Sequence, residues 1–180
     1  MGCPSKTTPQ SYKNIEIPPQ VNLTEEQRKQ VMMQVIDILL KSGLPNMGIE
    51  IACGIAGNIK VESMDFNYTA IGDSGTSYGL CQWHETRMVA LYNYCKEIGK
   101  PFNSVEGQMQ YLIHELSSVN RYKQVYANIS SQEHAKDIDY ITEYFCKYFE
   151  SPKNYQTYCK TRIPKGRQVF QEYTKLKPQS

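Results

Sequence analysis

Glu62 stands three residues past Ile59, at the end of a row formed by Ile51, Ile55 and Ile59. Helical spacing puts its carboxyl on the same face as those isoleucines. A carboxylate aimed along a buried apolar stripe is costly unless it is partnered or keeps its proton, and apolar burial raises a carboxyl pKa. A proton-bearing acid near neutral pH is what cleavage of a glycosidic bond requires, because the leaving oxygen must be protonated as the bond breaks. Just downstream, residues 65–83 hold Gly72, Gly75 and Gly79 among Asp73, Ser74, Thr76 and Ser77. That composition is too polar and too rich in glycine for a helix. It reads as a β-hairpin or folded loop, whose exposed backbone groups suit one wall of a sugar groove.

The elements around this pair are helical. Thr24-Glu-Glu-Gln27 is a capping box, and Val31, Met32, Val35, Ile36, Leu39 and Leu40 follow at helical spacing until Gly43. The Glu62 helix is expected from about Met47 to Ser63, with Gly54, Ala56 and Gly57 keeping part of its surface thin for a close neighbour. Further helices are expected over Glu85–Ile98, from a Ser104 cap through Leu116, over about Gln132–Phe149, and within Tyr155–Tyr173. The fold class is α+β and mostly helical, with a small β-hairpin or loop beside the Glu62 helix.

The 180 residues suffice for one domain with a substantial core. Residues 1–22 are polar and proline-bearing and read as a flexible leader, residues 23–176 as the domain, and 177–180 as a tail. A formal charge of +2 argues against a dedicated nucleic-acid binder or a polybasic membrane clasp. No run is apolar enough to span a membrane, and no signal peptide is visible. The six cysteines lack metal-ligand spacing, and no metal or other cofactor is expected. Three glycosylation sequons, at Asn22, Asn67 and Asn128, lean toward a secreted disulfide scaffold, but the missing signal peptide favours free, mostly buried thiols.

Gly57-Asn58-Ile-Lys-Val-Glu62-Ser63, followed by Gly72-Asp73-Ser-Gly75-Thr-Ser-Tyr78-Gly79-Leu80-Cys-Gln82-Trp83-His84, resembles the phage tail lysozyme family, a group of peptidoglycan-degrading domains. The pair is also similar to goose-type lysozymes and, more loosely, to lytic transglycosylases. The resemblance extends over about Leu23–Tyr173 and takes in Gln108-x-x-Tyr111-Leu-x-x-Glu115-Leu116 and Phe149-Glu150-Ser-Pro152. It implies a lysozyme-like fold and a muramidase cutting between N-acetylmuramic acid and N-acetylglucosamine. Glu62 matches the catalytic acid, and Asp73 matches the acid that positions water in goose-type enzymes. Where those enzymes carry a further acid after the Gln, this chain has His84, so Asp65, Asp73 and Glu85 all stand as candidates for the base. Two carboxyls about 6.5–9.5 Å apart would imply inversion, and about 5 Å a covalent intermediate. Asn58, Tyr78, Gln82, Trp83 and His84 are the candidate substrate contacts, each with a packing or capping role as its rival. His114 and His134 read as ordinary helix residues.

The resemblance implies delivery to the bacterial wall, on a virion or by a related route, with glycan strands as substrate and other tail proteins or flanking domains as further partners. Three rival functions stand beside it. A lytic transglycosylase would cut the same bond by intramolecular attack. A CHAP-type cysteine amidase would use Cys81 as nucleophile. A wall-binding module would keep the fold without the chemistry.

Overall fold

The computed structural model describes residues 11–177. Its framework is a set of helices: α1 (Glu25–Leu40), α2 (Ile49–Glu62), α3 (Thr86–Glu97), α4 (Val105–Ser118), α5 (Asn120–Ile129), α6 (Ile138–Phe145), α7 (Tyr155–Tyr158) and α8 (Ile163–Leu176). Between α2 and α3 lies an antiparallel sheet of three two-residue strands, β1 (Ile71–Gly72), β2 (Ser77–Tyr78) and β3 (Trp83–His84), in the order β1-β2-β3. Its register pairs Ile71 with Tyr78, and Tyr78 with Trp83. The mostly helical α+β class expected from the sequence is what the chain adopts.

Helix α2 runs through the centre. Every residue from Ile51 to Ile59 is buried, and α1, α6 and α8 pack around it. Small residues permit this. A Cβ added to Gly57 would lie 2.5 Å from the backbone nitrogen of Gly166 in α8, and one added to Gly54 would lie 2.6 Å from Ile141 in α6. The glycines that thin the α2 surface are therefore the crossing points of its neighbours. Helix α1 starts as expected, with Thr24 accepting from the Gln27 amide and the Gln27 side chain accepting from the Thr24 amide.

Three regions differ from expectation. Helix α5 was not anticipated, although Tyr122, Val125, Tyr126 and Ile129 bury one face at helical spacing. The next helix begins at Ile138 rather than Gln132, because the Asp137 carboxylate caps it by accepting from the Tyr140 amide. It continues into a π-helical turn over Cys146–Glu150 and stops where Ser151 takes a left-handed conformation. The last expected helix is broken into α7, a 3-10 turn over Cys159–Arg162, and α8, with Pro164 in the first turn, where its missing N–H costs nothing.

Of the expected leader, residues 1–10 lie outside the described residues, as do Cys3 and residues 178–180 of the tail. Residues 11–22 lie against the domain. Ile15 is buried in the core, the Asn67 side chain donates to the Val21 carbonyl, and the Val21 amide donates to Thr69 Oγ1. The Asn67 sequon is thus an interior strut. Cys53, Cys81, Cys95, Cys146 and Cys159 are all free and buried, as expected for packing thiols. Burial pushes Cys53 up to about 12 and Cys95 up to about 11, so both stay protonated. Among the described residues no helix is long and apolar enough to cross a membrane.

Candidate active site

Helix α2 ends at Glu62, and the chain leaves it by an unusual turn. Met64, Asp65 and Phe66 all have φ near +60°, at +49°, +66° and +61°. Left-handed backbone costs a non-glycine residue about 1–2 kcal/mol, so the turn must be held from outside. Arg28 of α1 does this by donating to the Met64 and Asp65 carbonyls, while Lys60 Nζ pairs with Asp65 Oδ1 at 2.5 Å. The turn swings Asp65 into a groove with Arg28, Lys60, Phe66 and Gln168, which Glu62 does not line.

Glu62 was expected among apolar side chains. Its nearest partner is instead a cation, Arg162 at the end of the 3-10 turn, whose Nη2 donates to Glu62 Oε1 at 2.6 Å. Arg162 is 1% exposed, whereas the Glu62 side chain keeps 20% of its surface open. The same guanidinium donates to the Asn58 carbonyl at 3.3 Å and to the Tyr158 hydroxyl at 2.6 Å. The apolar stripe thus delivers Glu62 to the surface, and an arginine a hundred positions later sets its direction.

Glu150, at the end of the π-helical turn, belongs to the same cluster. Its Oε1 is shut off from solvent and has no hydrogen-bond partner, as is Arg162 Nε. Burial first, and then the charge of Glu62, push the Glu150 carboxyl well above the usual carboxylate range, against the pull of Arg87 and Arg162. The Glu150 carboxyl thus favours its protonated form beside the Arg162–Glu62 hydrogen bond. Beyond it, Arg87 grips the buried Glu115 with two bonds, Nε to Oε1 at 3.0 Å and Nη2 to Oε2 at 2.9 Å. The Trp83 indole N–H donates to that same Glu115 Oε2 at 2.9 Å. Arg87 lies over the adjoining rings of Tyr122 and Phe149, at 4.6 and 4.7 Å. The polar spine thus has two bonded parts, Trp83–Glu115–Arg87 and Arg162–Glu62, and Glu150 feels the charges of both.

The sheet has a buried side and an exposed edge. Trp83 and Tyr78 have no exposed surface; Tyr78 packs on Phe102 at 5.3 Å and its hydroxyl has no partner. The Gln82 amide donates to the Ala70 and Gly79 carbonyls and closes the β2–β3 turn. That turn also depends on Gln108 of α4, which accepts from the Leu80 amide and donates to the Tyr68 and Phe102 carbonyls. Gly79, at φ +80°, is required because a Cβ would meet the Gln108 side chain at 2.6 Å. Asn58 is also fully buried, its amide bonded to the Gly54 and Thr142 carbonyls. Asn58, Tyr78 and Trp83 thus face protein on every side. The exposed edge carries Asp73, whose Oδ2 accepts from Ser77 Oγ at 2.7 Å, and His84, whose Nδ1 lies 3.1 Å from the same hydroxyl and 3.8 Å from Asp73 Oδ2. Glu85 Oε2 is 3.8 Å from the other His84 nitrogen.

The family described as phage tail lysozyme matches residues 30–173. The chain belongs to that family. No curated protein matches it. In this phage tail lysozyme, a cell-wall hydrolase by family, the matched span runs from within α1 to within α8 and takes in all the residues of the spine. The amidase alternative loses its nucleophile: Cys81 is 1% exposed, and burial pushes its thiol well up, the reverse of an activated thiolate.

Sequence reasoning assigned no role to Arg162, Glu150, Glu115 or Arg87. Glu115 and Glu150 lay inside the quoted motifs, so a signal existed for them. For Arg162 the only signal was a run of cations, Lys153, Lys160, Arg162 and Lys165, in a segment with no acidic residue.

Proposed function

We propose that this protein is a muramidase that hydrolyses peptidoglycan glycan strands between N-acetylmuramic acid and N-acetylglucosamine, on a phage tail or a related wall-directed particle. Glu62 acts as the general acid and gives its proton to the glycosidic oxygen as the C1–O bond breaks. Water then adds at C1, and its proton passes to a carboxylate, for which Asp73 is the choice. Asp73 is preferred over Asp65, which is tied to Lys60 on another groove, and over Glu85, which Asp73 exceeds in exposure, with its side chain 71% exposed. His84 and Gln82 would meet the sugar at the sheet edge, while Asn58, Tyr78 and Trp83 would act through the framework. Arg162 would hold the Glu62 rotamer, and the neutral Glu150 would limit negative charge beside it.

The observation that carries this reading is Glu62 itself: a carboxyl group delivered by a buried helix to a partly open surface, oriented by a buried arginine, in a family of lysozymes. The test is loss of turbidity of purified peptidoglycan with wild type and Glu62→Gln. The variant should be folded and at least about a hundredfold slower, the scale of general acid catalysis. Full activity in a folded variant would sink the assignment. Product mass completes the test, because hydrolysis gives a product heavier by one water than the anhydro sugar of a transglycosylase.

A further inference from the structure

Exposed aromatic surface is concentrated in one span, whose last tyrosine, Tyr158, is joined to Glu62 through Arg162. Tyr148, Tyr155 and Tyr158 are 39%, 39% and 42% exposed, within the eleven-residue span from the end of α6 to the 3-10 turn. Lys147 joins the first two, its Nζ lying 5.0 Å from the Tyr148 ring and 4.8 Å from the Tyr155 ring. Tyr158 joins the group to the candidate acid: its ring is 4.7 Å from the Arg162 guanidinium, which bonds both its hydroxyl and Glu62 at 2.6 Å. Tyr144, 4.3 Å from Tyr148, extends the row along α6. The backbone holds these rings apart from the core by a specific device. Ser151 in left-handed conformation reverses the chain after the π-helical turn, and Arg121 Nη2 donates to its hydroxyl at 2.5 Å.

Tyrosine offers a flat apolar face with a hydroxyl at its rim. A pyranose ring offers a flat face of C–H bonds with hydroxyls and acetamido groups around it, so the two are complementary. The charge is complementary as well. Residues 151–165 carry Lys153, Lys160, Arg162 and Lys165 and no Asp or Glu, and the first, second and fourth are exposed. A murein strand carries carboxylates on its lactyl groups or peptide stems. The one acid that bears on Lys147 from its own helix is Glu143, one turn back.

We propose that Tyr148, Tyr155 and Tyr158, with Lys147 between the first two, form a glycan-strand platform that continues the Glu62 site, sugar rings lying on the tyrosines and a muramyl carboxylate meeting Lys147. This rests on the peptidoglycan reading of the Glu62 site and adds where the strand runs beyond the cleaved bond. It also assigns a group of tyrosines whose role composition alone left open.

The test uses the Glu62→Gln protein, so that bound strands stay intact, and measures binding of two probes by calorimetry. One is glycan strands stripped of peptide stems, which bear free lactyl carboxylates; the other is chitin oligomers, which have similar rings and no carboxylate. Adding Tyr148→Ala and Tyr155→Ala should weaken both by about tenfold, the scale of an aromatic contact or two. Adding Lys147→Gln should weaken only the carboxylate-bearing strands. Circular dichroism and melting temperature confirm that each variant is folded. Unchanged binding of a folded double-tyrosine variant overturns the platform. So does a wild type that dimerises while the tyrosine variant does not, since the patch would then be a subunit contact. Failure of wild type to cut peptidoglycan at all would instead strike the muramidase reading, so the two failures are distinguishable.

Discussion

Arg162 Nη2 and Glu62 Oε1 meet at 2.6 Å across a hundred positions of sequence. The arginine is buried and the glutamate is partly open, so the buried partner fixes the exposed one. Nη1 reaches the Asn58 carbonyl one turn earlier on the same helix, which ties the guanidinium plane to the axis of α2 as well as to its last side chain. A lysine offers one point charge where arginine offers a fork. Arg162→Lys should therefore fold yet lose about tenfold to a hundredfold in peptidoglycan hydrolysis, because Glu62 loses its orientation. Initial rates on purified peptidoglycan check this, and an unchanged rate would remove Arg162 from the machinery.

Glu150 gives the protein a pH signature. Its carboxyl is raised above the unfolded-state value by burial and by Glu62, so the folded state holds a proton that the unfolded state releases. The associated stability is complete below the ordinary carboxylate range and declines as pH rises toward the raised value, by about 1.4 kcal/mol per pH unit over that interval. Glu150→Gln keeps the shape and removes the titration, with Glu62, Arg87, Arg162 and Glu115 left around it. The melting temperature of this variant relative to wild type should rise steadily from pH 5 upward. A difference that does not change with pH would show that Glu150 is not buried as a neutral acid.

Glu115→Ala should be among the more damaging single changes outside the site. It leaves Arg87, paired on both arms, and the Trp83 N–H without their acceptor. Breaking a buried ion pair by removing one partner costs about 3–5 kcal/mol. Denaturant unfolding measures this directly. A cost under about 1 kcal/mol would mean that the spine is replaceable by solvent.

Tyr78 separates framework from substrate contact. Its hydroxyl is buried and unpartnered, and its ring is fully enclosed. Tyr78→Phe removes the unsatisfied group and keeps the packing, so stability should hold or rise by up to about 1 kcal/mol and hydrolysis should be unchanged. A large loss of rate with intact folding would return Tyr78 to the sugar groove.

Much of this was legible along the chain, because local rules govern it. The Thr24–Gln27 capping box, the isoleucine stripe that ends at Glu62 and the glycine-marked hairpin need only neighbours within a few residues, and all three are present. The glycines of α2 announced a close approach, and Gly166 and Ile141 are what approach. Where local signals compete, the reading slipped. Tyrosines at two of the four buried positions obscured α5, and the Asp137 cap trimmed α6 from a longer apparent run.

The sequence by itself determined the helix-dominated class, the thin face of α2 and the position of Glu62 at its end, since periodicity and caps act over one or two turns. Only the tertiary structure decided what Glu62 faces. Residues 62, 150 and 162 come from three separate elements, and whether a carboxyl lies against apolar walls or against a guanidinium depends on how those elements pack. The same packing turned Trp83 and Tyr78 inward and left Tyr148, Tyr155 and Tyr158 outward, a division that composition cannot express because tyrosine is stable in either place.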